Sequence, residues 1–265
     1  MERIKVFVSG AAGKMGREVV RAVLADKELQ LVGAADSNLQ GVDVGQLAGI
    51  DSVGVTVSAL SGEILKSSGA QVMVDFTAPH SVMPNCKLAL ENGVRPVIGT
   101  TGLTEEDLSE IVELAKQANL GVFIAPNFSI GAILMMKFAQ EAAQYFPNVE
   151  IIELHHDQKL DAPSGTGLKT AEMIASVRPE FTQGHANEYE KLPGARGGNF
   201  KGLRIHSIRL PGLVAHQEVI FGGLGQTLSV RHDAYNRETY MPGVVLAVKK
   251  VINLKGLVIG LENII

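Results

Sequence analysis

An α/β fold, a doubly wound parallel sheet followed by a second α+β domain, is predicted by three observations. Up to Pro126, short apolar runs alternate with stretches of helical period. The runs are continuously apolar, as strands covered by helices on both faces are. Beyond Asn127-Phe128-Ser129 the pattern changes, and three later strand-like runs follow one another with no helix between them. That succession favours an antiparallel or mixed sheet.

The first strand, residues 4–8, runs into Gly10-Ala11-Ala12-Gly13-Lys14-Met15-Gly16 and then a helix on which Met15, Val19 and Val23 recur every four residues. Further strands are expected at 31–35, 55–57, 72–76, 97–98 and 122–125, joined by right-handed crossovers. One helix is well specified: Thr104 can cap it, Glu105, Glu106 and Asp107 suit its positive end, and Leu108, Ile111, Val112 and Ala115 form one stripe. In the second part, a helix rich in Met and Ala is expected at 130–145, a strand at 149–154 and, after a polar loop, a helix from Ser164. A glycine-rich stretch leads to strands at 202–208, 213–221 and 226–230. From Tyr240, with Pro242 near its start, a last helix returns to pack on the first domain.

Composition agrees with this plan. A chain of 265 residues exceeds the usual domain of about 100 to 200, so two domains are expected. With 46% hydrophobic and 20% charged residues, wholesale disorder is excluded. Twenty-four Lys plus Arg against 28 Asp plus Glu, with no basic block, argues against a nucleic-acid partner. The single cysteine, Cys86, cannot form an internal bridge and reads as a buried small hydrophobe, which fits a reducing cytoplasm. The amino-terminal segment lacks the regions of a signal peptide, and no apolar run reaches the length of a membrane span, since 122–136 is broken by Pro126, Asn127 and Gly131. A soluble protein is expected.

The glycine turn spaces its glycines as GxxGxxG rather than the usual GxGxxG. Alone, such a triplet also fits a tight strand-to-helix turn. Its place between a strand and a helix makes the domain Rossmann-like, because small residues let the backbone approach a pyrophosphate and the helix start offers free amides. Gly10, Ala11, Ala12, Gly13, Lys14 and Met15 are therefore candidate cofactor contacts. Asp36, twenty residues beyond Gly16 at the end of the second strand, suits an adenosine ribose. Its carboxylate argues for NADH, while Lys14, Ser37 and Asn38 can tolerate the extra phosphate of NADPH, so both cofactors stay open. Gly99-Thr100-Thr101-Gly102 and Ala125-Pro126-Asn127-Phe128 follow later strands at the carboxyl edge, where open sheets bind ligands; plain connecting loops are the alternative.

The densest chemical cluster is Glu153-Leu154-His155-His156-Asp157-Gln158-Lys159-Leu160-Asp161-Ala162-Pro163-Ser164-Gly165-Thr166-Gly167. No metal is expected, because neither an HExxH helix nor a CxxC pair is present. Leu168 separates Gly167 from Lys169, which excludes a Walker phosphate loop, and Ser164 lacks a GxSxG elbow. Pro163-Ser164 instead reads as a helix entrance whose Gly165 and Thr166 amides can hold a carboxylate, with Lys159 and His156 nearby as an anion pocket. The competing reading is a solvated loop that has merely collected polar residues.

The string HHxxKxDAPSGT over His155 to Thr166 closely resembles that of the dihydrodipicolinate reductases. The likeness extends through the glycine turn, residues 99–102 and 125–129, Gly194-Ala195-Arg196, His206-Ser207, Arg209-Leu210-Pro211-Gly212 and Phe221-Gly222-Gly223. It implies a dinucleotide-binding domain of residues 1–127 completed by 236–265, and a substrate-binding domain of 128–235 through which a homotetramer assembles. It further implies NADH- or NADPH-dependent reduction of the cyclic dicarboxylate formed from hydroxy-tetrahydrodipicolinate, giving tetrahydrodipicolinate for lysine and diaminopimelate synthesis. His155 would donate or accept a proton, Lys159 would donate one, and His156, Gly165 and Thr166 would bind substrate. Gly10 to Met15, Asp36, Gly99 to Thr101 and Ala125 to Phe128 would contact the cofactor. Asp36-Ser37 stands where some members carry Glu-Arg, which weakens the case for a strong NADPH preference. Two rivals are a non-catalytic redox sensor, which leaves the His-Lys cluster idle, and an amino-acid dehydrogenase of similar plan.

Overall fold

The computed structural model describes residues 2–265, which cluster into two compact units, 2–130 with 237–265 and 131–236. The first unit contains strands β1 (Ile4–Ser9), β2 (Leu29–Ala35), β3 (Val57–Ser58), β4 (Val72–Asp75), β5 (Arg95–Ile98) and β6 (Gly121–Ile124). Between them run helices α1 (Lys14–Ala25), α2 (Val44–Leu47), α3 (Gly62–Ser68), α4 (Pro79–Glu91) and α5 (Glu105–Ala118). The second unit holds α6 (Ile130–Ala143, from its second residue), β7 (Asn148–His155), α7 (Gly165–Ala175), β8 (Gly198–Phe200), β9 (Leu203–Arg209), β10 (Ala215–Gly223) and β11 (Gln226–Ala234). The chain then returns to the first unit with α8 (Met241–Val251) and β12 (Gly256–Ile259).

The strands of the first unit form one parallel sheet in the order β12-β6-β5-β4-β1-β2-β3. Every residue of β4 and β6 is buried, and all but Asp75 at the end of β4 are apolar or glycine, which is why these strands read as apolar runs. Phe7, Met73 and Phe123 are completely buried, each contributing about 1.5–3 kcal/mol through loss of water contact. The strand order reverses direction between β1 and β4. A crevice therefore opens at their carboxyl ends, where the two crossovers leave toward opposite sides.

Two expectations are corrected in this unit. In α5 the Thr104 hydroxyl accepts from the Asp107 amide and the Asp107 carboxylate accepts from the Thr104 amide, a reciprocal cap. Val112, however, is 43% exposed, and Leu114 takes its place beside Leu108, Ile111 and Ala115. One residue turns a helix by about 100°, so Val112 next to the buried Ile111 swings onto the outer face. The tail does form a helix, but β12 follows it and pairs in parallel with β6, Leu257 opposite Val122. That strand is four residues long and only partly buried, too short for a period to register.

The second unit is a mixed sheet in the order β11-β10-β7-β9-β8, in which β7 and β9 are parallel and the other pairs antiparallel. One face packs Val149, Ile151, Leu203, Ile205, Val219 and Phe221 against Ala139 and Ala143 of α6 and Ala171 and Ile174 of α7. Strand residues two apart share a face, so Glu153 follows Val149 and Ile151 inward and is fully buried. β11 runs four residues past its expected end, through Arg231-His232-Asp233, and β8 was not expected at all; both are strands whose polar residues hide the alternation.

Candidate active site

In the first unit, a cleft of about 680 Å³ lies at the strand-order reversal. Gly10, Ala12 and Gly13 of the turn line it, with Asp36 and Asn38 beyond β2 and Phe76 and Thr77 beyond β4. A neighbouring cleft of about 420 Å³ shares Gly13, Phe76 and Thr77 and adds Lys14, Met15, Gly99, Thr100 and Thr101. The glycine turn thus stands between the Asp36 side and the Thr100 side. Its tightness is steric: Gly10 has φ +81°, and a Cβ on it would lie 2.3 Å from the Phe76 carbonyl oxygen. A Cβ on Gly16 would lie 2.0 Å from the Gly10 oxygen. Gly13 is the N-cap residue of α1, which has no side-chain cap and no acidic residue in its first turn, so the positive end of the helix is left for an anion.

Asp36 braces this turn, its carboxylate accepting from the Ala12 amide at 3.0 Å and the Asn38 amide at 2.9 Å. Ala11 lies beneath the surface, buried, with its amide spent on the Ala35 carbonyl. Thr100 is set by a polar cluster that the sequence reading missed. Its hydroxyl donates to buried Asp75 at 2.6 Å and accepts from the Thr77 amide at 2.7 Å. Thr77 and Asn85 complete the Asp75 carboxylate at 2.7 and 2.8 Å. The available signal was an acidic residue closing the apolar strand β4. Among the other candidates, Ala125 and Phe128 are buried, Phe128 stacking at 5.7 Å on Phe76 and 5.9 Å on Phe123. Pro126 is exposed, and the Asn127 side chain accepts from the Ser129 amide; none of these four lines either cleft. Cys86 is buried, and desolvation pushes its thiol up to about 12, so it is chemically inert.

In the second unit, His155 closes β7 and its Nδ1 lies 2.5 Å from Oε2 of Glu153. Arg209, ending β9, grips the same carboxylate with both terminal nitrogens, at 2.9 and 2.7 Å. The Ser164 amide donates to Glu153 at 3.2 Å while the Ser164 hydroxyl caps α7 by accepting from Gly167. Burial drives the Glu153 carboxyl upward, but the hydrogen bonds from His155, Arg209 and Ser207 outweigh it and hold the group at about 2. Arg209 also donates to the Asp161 carbonyl, and the Asp161 carboxylate pairs with Lys159 at 2.6 Å. The hydrogen bond from Lys159 holds Asp161 below the usual carboxylate range.

One network therefore joins His155, Lys159 and the start of α7, where Gly165 is exposed and Thr166 half-buried. His156 stands outside it, past the end of the strand and exposed. Glu153 and Arg209, at the heads of the segments 153–167 and 209–212, are site residues that the sequence alone does not single out. What marked Glu153 was an acid at a core-facing position of a strand. Among the described residues, no three His, Cys, Asp or Glu side chains are grouped so as to hold a metal ion. Among the described residues, no helix is long and apolar enough to cross a membrane.

Comparison with known proteins covers nearly the whole chain. Residues 4–128 match the model for the dihydrodipicolinate reductase N-terminus and residues 131–265 that for its C-terminus. A 4-hydroxy-tetrahydrodipicolinate reductase of Desulfitobacterium hafniense is 63% identical over 264 residues, 99% of each chain. The structure of dipicolinate-bound dihydrodipicolinate reductase from Paenisporosarcina sp. TG-14 superposes with a TM-score of 0.89 at 50% identity, covering 99% of this chain and 100% of that one. An amine dehydrogenase of Mycobacterium smegmatis shares the fold at a TM-score of 0.65 and 18% identity, over 96% of this chain and 94% of that one.

Proposed function

The chain belongs to the dihydrodipicolinate reductase family, and from that premise we propose how its residues divide the work of the reaction. The reaction is the NAD(P)H-dependent reduction of the dihydrodipicolinate formed from 4-hydroxy-tetrahydrodipicolinate to tetrahydrodipicolinate, a step toward lysine and diaminopimelate. The nicotinamide, when bound, supplies a hydride. The first unit is the dinucleotide-binding domain in this reading, its bounds within a few residues of the expected 1–127 and 236–265. Gly10 to Met15 and the start of α1 take the pyrophosphate, Asp36 the adenosine ribose, and Thr100 and Thr101 the nicotinamide end, with Gly99 and residues 125–128 shaping that edge. NADH is the preferred cofactor: among the described residues no Lys or Arg lines the Asp36 cleft, and a carboxylate there repels a 2′-phosphate.

The second unit, 131–236, is the substrate domain. Lys159 and the Gly165 and Thr166 amides hold the two carboxylates of the substrate, with His156 at the rim. The substrate carboxylate takes over Lys159 from Asp161. His155 delivers the proton that balances the hydride, histidine being the usual acid near neutrality, and Lys159 assists. The observation that carries this reading is the network joining an imidazole, an ammonium and an amide-rich helix start around one buried carboxylate. We also read the enzyme as a cytoplasmic homotetramer. Ile152, Leu154, Ile208 and Ile220 are only half-buried on the face of the second sheet turned from its core, which suits assembly through that sheet.

The test is to mix the protein with NADH and enzymatically generated 4-hydroxy-tetrahydrodipicolinate and follow the absorbance of the reduced nicotinamide. Substrate-dependent loss of the signal is expected. Loss only with an oxo acid and ammonia, or no loss with either cofactor, overturns the reading.

A further inference from the structure

We propose that Glu153 is a positioning residue for this reaction: it fixes the imidazole of His155 with its proton on Nδ1, so that Nε2 is the nitrogen that exchanges a proton with the substrate. This rests on the reading of His155 as the proton-transfer group.

Glu153 and His155, two apart on β7, stand on the same face of the strand. Glu153 is fully buried, and a buried carboxylate is strongly destabilising unless donors surround it. Here it has them. Oε1 accepts from Arg209 Nη2 at 2.7 Å and from the Ser164 amide at 3.2 Å, while Oε2 accepts from Arg209 Nη1 at 2.9 Å and faces His155 Nδ1 at 2.5 Å. A guanidinium does not give up its proton. Gripped by one on both oxygens, the carboxylate stays ionised and can only accept. Nδ1 of His155 must then be the donor, and the neutral ring has its lone pair on Nε2.

The same carboxylate holds the residue immediately before Gly165 and Thr166. The proton-transfer ring and the anion-binding turn are thereby referenced to a single group, and the charged neighbours are accounted for. Arg209 is shared with the Asp161 carbonyl, and Lys159 pairs with the Asp161 carboxylate rather than with Glu153. A Glu153 that served only to anchor α7 would hold Arg209 and Ser164 and leave the ring of His155 indifferent.

Two measurements test this. In histidine-labelled wild-type protein at about pH 8.5, well above the ordinary histidine range, nitrogen-15 spectra should show His155, identified by the signal missing from His155→Gln, protonated on Nδ1. Protonation on Nε2 overturns the proposal, and this readout needs no variant at Glu153 to fold. In kinetics, Glu153→Asp keeps the charge for Arg209 but withdraws it from the ring. It should lower kcat about 10- to 100-fold, a share of the roughly 10²- to 10⁴-fold that a general acid supplies, and it should shift His155 away from the Nδ1-protonated form. Added to His155→Gln, the same substitution should cost nothing further, because residues acting as one unit are not additive. If it lowers the turnover of His155→Gln by the same factor as that of the wild type, Glu153 acts independently of the ring and the proposal fails while the role of His155 stands. If His155→Gln itself turns over normally, the reading of His155 fails and the proposal with it.

Discussion

Glu153 shows what one buried charge does at the scale of a residue. Its carboxyl is held at about 2 by His155, Arg209 and Ser207 against the upward push of burial, whereas in the unfolded chain it titrates near 4.3. Between those values the unfolded state binds more protons, so stability rises with pH through this window. The contribution, on the order of 3 kcal/mol, is complete above the unfolded value and lost as pH falls toward 2. Urea midpoints between pH 5 and 3 should fall more steeply for the wild type than for Glu153→Gln; parallel slopes would refute the linkage. For catalysis, His155→Gln and Lys159→Ala should each lower turnover by roughly 10²-fold or more with NADH affinity unchanged, as measured by nicotinamide fluorescence. His155 and Lys159 were legible because polar residues crowded between a strand and a helix start are conspicuous. Glu153 and Arg209 were not, because their pairing spans 56 residues and nothing local announces it. Asp75 was hidden in the same way, its donors Thr100 and Asn85 coming from two other segments.

At the scale of elements, local chemistry was read well wherever it was self-contained. The Thr104 cap of α5 was such a case, and Thr104→Ala should destabilise by about 1 kcal/mol, seen as a lower Tm with turnover intact. The glycine turn was legible as a motif, while its steric basis lay in a contact across the sheet. Gly16→Ala places a methyl 2.0 Å from the Gly10 oxygen and should cost about 1–3 kcal/mol, with NADH binding weakened further because the turn must open; unchanged binding in a calorimetric titration would contradict this. What stayed hidden were β8 and β12, three and four residues long, whose existence depends on a pairing partner and not on their own sequence.

For the whole molecule, the α/β class with its parallel sheet and second mixed sheet was legible because continuous apolar strands and helical intervals recur over most of the chain. If the first unit alone binds NADH, saturating cofactor should slow amide exchange at residues 10–16, 36–38 and 99–101 and leave β7 to β11 at their free rates; protection spread evenly over both units would argue against that division. The return of the chain also has a consequence for biosynthesis. Because β12 closes the edge beside β6 only after residues 131–236 have been made, the ribosome delivers the entire second unit before the first can complete its sheet. The nascent amino-terminal half must therefore wait with its β6 edge unpaired, and that interval is when a chaperone would find it.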